Sequence, residues 1–384
     1  MGKRIIKLEA RPNLKHPFFY LLYSVLRNVE SILLGKNLDF TDSFIYTLLM
    51  FVGEFFSGLF VFLYQKKFVK KTLFQTVSTS KSKDLELIIT NKRVRIIDKI
   101  SKIIFILLCC AFFDYIQFLL YIEYSKLINL DSRLGGVLLI FDALFYIYAL
   151  KFSILRHQLF CLIIIGICLL IIIITELIFQ KINFFFSYYM VLVLFLYSLL
   201  GKFFCAMIDL NEKYLFDYNN VNPFYALLFE GFFGIIFSFI YAIYDNPFKK
   251  ITKEQTASEI AILVFSLIIY VILSGFKNIY RVNTTKIFTP MVTSSCEYIT
   301  NPIFIILDFS LGEDFMAKGE RRNYTYFFIN LIISLIISFF YLVFNEFIIL
   351  FFCDLDKDTH LEISKRSSQE EKLIKLESIN DDEE

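Results

Sequence analysis

The sequence predicts an all-α integral membrane protein of nine or ten transmembrane helices with no sizeable soluble domain. Three observations carry this expectation. The chain is 57% hydrophobic with a positive mean hydropathy, against about 45–50% apolar residues in soluble proteins. Nine stretches stay apolar for about 20 residues, the length a helix needs to cross hydrocarbon. The polar segments between them are too short to close around a core of their own.

Taken in order, the segment 1–17 is basic and lacks an apolar run, so it predicts a cytosolic N-terminus and no cleaved leader. Pro17 to Gly35 is amphipathic, with Arg27 and Glu30 inside it. It reads as a first span whose charged side faces the bundle; an interfacial helix is the alternative. The clear spans follow at 43–65, 103–122, 134–152, 157–178, 187–208, 224–244, 257–276, 287–309 and 326–350. Charge bias orients them. Segments 1–17, 66–102, 151–156, 209–223 and 277–286 form the cytosolic side, and 66–102 alone carries 11 Lys and Arg. An even helix count then leaves 354–384, a polar tail ending in four acids, in the cytosol too, as a disordered segment or a short surface helix. With no Trp and 23 Tyr, tyrosine supplies the interfacial aromatics. Asn323-Tyr324-Thr325 is a glycosylation sequon on the opposite side. Glu371 to Ile374 is similar to an acidic dileucine sorting signal, but Gln369 stands where that signal wants an acid.

Composition argues against several classes. A net charge of +2, with every basic run beside an apolar span, predicts no nucleic-acid partner. His16, His157 and His360 all lie outside the spans or at their rims, so no membrane-embedded histidine is expected as a base or metal ligand. Cys109, Cys110, Cys161, Cys168, Cys205 and Cys296 sit in apolar runs and Cys353 at the end of the last one, with no ligand spacing among them. No enzyme activity, catalytic residue, metal site or cofactor is expected.

An ionisable side chain inside hydrocarbon is costly, so each one marks a candidate site. Glu54 lies mid-span, with Ser57 and Gly58 on its helix face. Asp114 and Asp142 are central in the next two spans. Glu230 opens Glu230-Gly231-Phe232-Phe233-Gly234, where small residues permit close packing. Glu297 shares a face with Thr293, Thr300 and Asn301, and Pro302 then removes a backbone donor and frees a carbonyl one turn back. Arg133, Lys202, Lys277 and Arg281 are expected nearer the membrane faces, Lys202 and Lys277 as translocation candidates or as snorkelling cations. The mid-membrane charge therefore reads as mainly acidic. A structural role, capping a helix or bonding a neighbour, stands beside the functional one for each of these groups.

The stretches Met50 to Phe55, Thr285-Lys286 through Leu311-Gly312-Glu313, and above all "NEKYLFDYNNVNPFYALLFEGFFG" (residues 211–234) resemble the drug/metabolite transporter superfamily. The nearest resemblance is to subgroup F of solute carrier family 35, the nucleotide-sugar-transporter-like proteins, and it covers about 18–350. It implies ten helices in two inverted five-helix repeats, 18–180 and 187–350, around a central cavity with alternating access. Relatives often carry Arg in the central part of the ninth helix, where this chain has Thr293 and Thr300. With acids dominating the interior, an ordinary nucleotide sugar, whose phosphates want cations, is a poor expectation.

The reading is a transporter of a small polar metabolite in an internal membrane (Golgi, ER, lysosome or vacuole), with both termini cytosolic. Its partners would be a small-molecule substrate, the lipid bilayer and, as a candidate coupling ion, protons; a homodimer is open. Glu54 and Glu297 are the candidate proton-titrating groups, and Asp114, Glu230, Thr300, Asn301, Lys202 and Lys277 complete the candidate translocation set. The alternative is a non-transporting scaffold or receptor with a transporter-like fold. An enclosed polar cavity favours the first, a bundle packed shut at its centre the second.

Overall fold

The computed structural model describes residues 15–38, 43–65, 67, 89–125, 134–150, 154–184, 188–219, 221–244, 257–311 and 324–350, together with 359, 362 and 366. Residues 1–14, most of the expected 66–102 loop and of the tail, Arg133, Asn323, Cys353 and the dileucine-like signal lie outside them. The described residues are almost wholly helical: α1 Lys15–Leu38, α2 Ser43–Tyr64, α3 Ile89–Ser125, α4 Gly135–Ala149, α5 Arg156–Phe184, α6 Tyr188–Tyr218, α7 Pro223–Tyr244, α8 Ala257–Ile287, α9 Pro290–Ile299, α10 Asn301–Leu311 and α11 Tyr324–Phe344. No strand occurs among them.

Seven helices, α2, α3, α5, α6, α7, α8 and α11, are long and apolar enough to cross a membrane. Their polarity is inside out. Phe60, Phe105, Ile243 and Phe265 are exposed, while Glu54, Glu176, Glu212 and Glu230 are buried. Water would penalise so much exposed apolar surface, and hydrocarbon would penalise any outward carboxylate. This is the distribution of a multi-pass membrane protein. Of the remaining helices, α4 is apolar but only 15 residues long, α1 is long but too polar to qualify, and α9 and α10 are each a short piece.

Several boundaries differ from the expected ones. Segment 209–223 was expected as a loop, yet α6 continues to Tyr218; 277–286 likewise belongs to α8, which ends at Ile287. Asp209, Glu212, Lys277 and Arg281 are therefore buried helical residues and not rim groups. Hydropathy scores each residue alone, whereas here opposite charges on facing helices neutralise one another and remain inside. Residues 89–102, expected as loop, form the first turns of α3. The expected ninth span, 287–309, starts after a bend at Phe288–Thr289 and is broken again at Thr300. Pro290 sits at the start of α9 and Pro302 at the second position of α10, where a proline's missing donor costs no helical bond. The Thr300 hydroxyl donates to Glu297 O at 2.6 Å, so the break is satisfied locally. The last span stops at Phe344, just before Glu346, which has a positive φ of 58°.

The closest helix pairs are α2 with α7, α1 with α8, α3 with α6, α2 with α8, α3 with α7, α5 with α11, α4 with α6 and α4 with α9. α1 also packs on α9. Glycines set the tightest contacts. A Cβ at Gly53 would lie 2.6 Å from Val271 O, and one at Gly58 would lie 2.8 Å from Leu228 N. α2 thus runs backbone against backbone with both α8 and α7, as small-residue interfaces in membranes permit. α1 is held by rings: Tyr23 stacks on Tyr280 and Phe276, and Phe19 on Tyr280. Its buried residues Pro17, Tyr20 and Ser24 recur at helical spacing, so α1 packs as part of the bundle.

Candidate functional site

Close packing of α2 on α7 and α8 aligns three charged helices, and α2 and α8 present their interior faces to a central cavity of about 160 Å³. α1, α2, α3 and α4 line it on one side of the chain order, and α6, α8, α9 and α10 on the other. Among its charged walls are the acids Glu54, Asp114, Asp209 and Glu297 and the cations Arg27, Lys202, Lys277 and Arg281. The interior is therefore not mainly acidic at the cavity wall, as composition of the spans suggested. Lys277 and Arg281 supply the positive charge that was expected at the membrane face.

Glu297 sits at the end of α9. Lys277 Nζ lies 3.1 Å from its Oε1, and Tyr20 OH donates to its Oε2 at 3.4 Å. Lys202 and Arg27 are the further cations acting on it. Its side chain is 46% accessible although the bundle encloses it, because it faces the cavity. Lys277 lies over the Tyr20 ring at 5.8 Å. These residues form a cationic pole around one carboxylate.

The opposite pole centres on Arg281. Its Nη2 lies 2.7 Å from Glu212 and 3.3 Å from Glu230, and its Nη1 lies 4.0 Å from Asp209. Glu54 accepts from Asn278 Nδ2 at 2.5 Å, and Asp114 lines the same cavity. Beyond this pole, Lys213 donates to the carbonyls of Thr285, Lys286 and Phe288 at 3.1, 3.3 and 2.6 Å. It caps the exposed carbonyls at the C-terminus of α8 and ties α6 to that end.

The candidate set divides accordingly. Glu54, Asp114, Lys202, Lys277, Glu297 and Asn301 all line the cavity. Glu230 and Thr300 do not: Glu230 is fully buried behind Arg281, and Thr300 holds the α9–α10 break. Asn301 Nδ2 donates to Ser334 Oγ at 3.1 Å and so fastens α10 to α11. Asp142 is buried and accepts from Ser294 Oγ at 2.6 Å; it is not part of the wall. Sequence reasoning missed Asp209, Glu212 and Asn278 and placed Arg281 at the rim. The usable signal was spacing. Asp209 and Glu212 are three apart, Lys277 and Arg281 four apart, so each pair lies on one helical face. Among the described residues, no group of three or more His, Cys, Asp or Glu is placed to hold a metal ion.

The chain matches no protein-family model and no curated protein.

Proposed function

We propose that this protein is a solute transporter that carries a small polar metabolite by alternating access. The observation that carries the reading is the charged cavity in an otherwise apolar bundle, walled by helices from both sequence halves. A scaffold or receptor has no need of a central polar chamber, and enclosing charged side chains within an apolar bundle without a ligand task is costly.

The packing pattern supports the two-repeat architecture that the resemblance to solute carrier family 35 implies. Let α9 and α10 count as one broken span, so that ten spans result, and exchange each span with the one five places on. The α1–α8 pair becomes α6–α3, α2–α8 becomes α7–α3, and α4–α6 becomes α9–α1, all of which are present. The pairs α2–α7, α4–α9 and α5–α11 map onto themselves. Two halves of one architecture, related by a twofold axis, pack in this way, and a twofold pair can rock about a fixed central site. The cations at the wall also remove the argument against phosphate-bearing substrates, which Arg and Lys recognise. On this reading the membrane is an internal one.

Reconstitution into proteoliposomes and uptake from a panel of labelled metabolites, phosphorylated and carboxylated ones included, tests the proposal. Saturable uptake that Lys277→Met weakens at least tenfold is expected. Absence of uptake of every panel member by folded protein overturns it.

A further inference from the structure

We infer that the carboxyls gathered about Arg281, namely Glu54, Asp114, Asp209 and Glu230, form a proton-binding site. They share protons at neutral pH, and this site, not the Lys277–Glu297 pair, couples solute movement to protons. The coupling half of the inference rests on the transporter reading; the proton occupancy does not.

The charge balance is the first observation. Among the described residues, Arg281 lies within 4.0 Å of three carboxyls on α6 and α7, those of Asp209, Glu212 and Glu230, and Glu54 on α2 and Asp114 on α3 line the same cavity as Arg281. The other cations that face them are Lys277 on α8, which is committed to Glu297 at 3.1 Å, and Arg27 on α1. α9 contributes Glu297, α4 contributes Asp142 and α3 adds the thiol of Cys110. Among the described residues, Glu54, Asp114, Asp209 and Glu297 line the cavity with Arg27, Lys202, Lys277 and Arg281, and the buried Glu212 and Glu230 behind Arg281 tip the balance to the acids; Asp142 adds a further acid. Uncompensated negative charge in a low-dielectric interior neutralises by taking up protons before it tolerates burial.

The second observation is at the atoms. Glu54 is 2% exposed, and while its Oε1 accepts from Asn278, its Oε2 has no hydrogen-bond partner among the described residues. Glu230 is fully buried, and while its Oε2 faces Arg281, its Oε1 has no partner among the described residues. A buried carboxylate oxygen without a donor is expensive. A protonated one is itself a donor and can bond a neighbouring carboxylate, so one proton satisfies two acids. Glu297 shows the contrast. Both of its oxygens have partners, and it faces the cavity.

A route is present as well. Glu54 and Asp114 line the cavity, and Arg281 lines it while touching the buried Glu212 and Glu230. A proton arriving through the cavity forms an O–H bond on a carboxylate and cancels its charge. The Arg281 guanidinium is then released to another partner, and the same O–H bond breaks when the proton leaves. That exchange of partners links occupancy to the packing of α2, α6, α7 and α8.

The test is infrared spectroscopy of the full chain in nanodiscs, read at the carbonyl stretch of a protonated carboxylic acid. A band at neutral pH is expected, lost as pH rises and weakened in Glu54→Gln and in Glu230→Gln. Asp142→Asn identifies the contribution of that separate carboxyl. A purely ionised spectrum at neutral pH, or a band unchanged in both Gln variants, overturns the proton site. In proteoliposomes, Glu54→Gln and Glu230→Gln should each lose the acceleration by a pH gradient. Glu297→Gln should keep the acceleration and raise the KM for solute. The reverse pattern overturns the coupling assignment. If no solute is carried, the transporter reading fails alone and the band still decides the proton site; a native protein without the band that carries solute sinks only the proton site. Should either Gln variant fail to fold, the native band and its pH titration decide.

Discussion

Arg281 is the side chain on which the interior depends most. It is 15% exposed and touches carboxylates from two other helices. Removing one partner of a buried charge cluster strands the rest, typically at about 3–5 kcal/mol. Arg281→Met should therefore lower the melting temperature in detergent strongly at neutral pH. The deficit should shrink as pH falls, because protonation removes the negative charge that the guanidinium otherwise matches. Adding Glu230→Gln to Arg281→Met should recover part of the loss, since the two sites couple through one contact. Equal melting of Arg281→Met and the native chain would show that the cluster is not held by this cation. The charges of this network were half legible. Glu54, Asp114, Glu230 and Glu297 stand out because each interrupts an apolar run. Asp209, Glu212 and Arg281 follow an apolar run, and there a charge reads as the start of a loop.

At the scale of elements, the α2–α7 interface is made by Gly231. A Cβ there would meet Phe55 N, lie 2.8 Å from Phe55 Cα and 2.9 Å from Phe51 O. All three are backbone atoms, so no rotamer change relieves the overlap and the helices must separate. Overpacking of this kind costs about 1–3 kcal/mol. Gly231→Ala should lower thermal stability by that order and shift Glu230 away from Arg281. Gly166→Ala is the control, because nothing lies within 4 Å of its added Cβ; alanine's better helix propensity, about 1 kcal/mol over glycine, makes it neutral or stabilising. Identical behaviour of the two variants would refute the close-contact account. The sequence already marked Gly231 and Gly234 as a site of close packing. It did not say which helix they meet, since glycine spacing describes one surface and not its partner.

For the whole molecule, the side of the membrane on which each end lies follows from the span count. If α1 crosses, and α9 with α10 crosses once, ten spans result and both termini share a side. On the proposed topology that side is the cytosol, the expectation set by the basic 66–102 segment with its 11 Lys and Arg. Tags at both termini should be digested in sealed microsomes without detergent. A protected C-terminal tag beside a digested N-terminal one would mean an odd number of spans and would remove the paired-halves architecture with it.

What the sequence determined by itself is the class of structure and the approximate place of most helices. Burial of backbone polar groups in hydrocarbon requires helices, and hydropathy is a local quantity that sums along the chain. Only the tertiary structure decided which charges meet. Arg281 and Glu230 are 51 positions apart, and Asn278 and Glu54 are 224 apart. Lys213 reaches carbonyls more than 70 residues on. Such pairs depend on which faces the glycines bring together and on how far each helix continues past its apolar core. A charge inside a membrane is tolerable or intolerable according to its neighbours on other helices, and a window along one strand of sequence contains none of them.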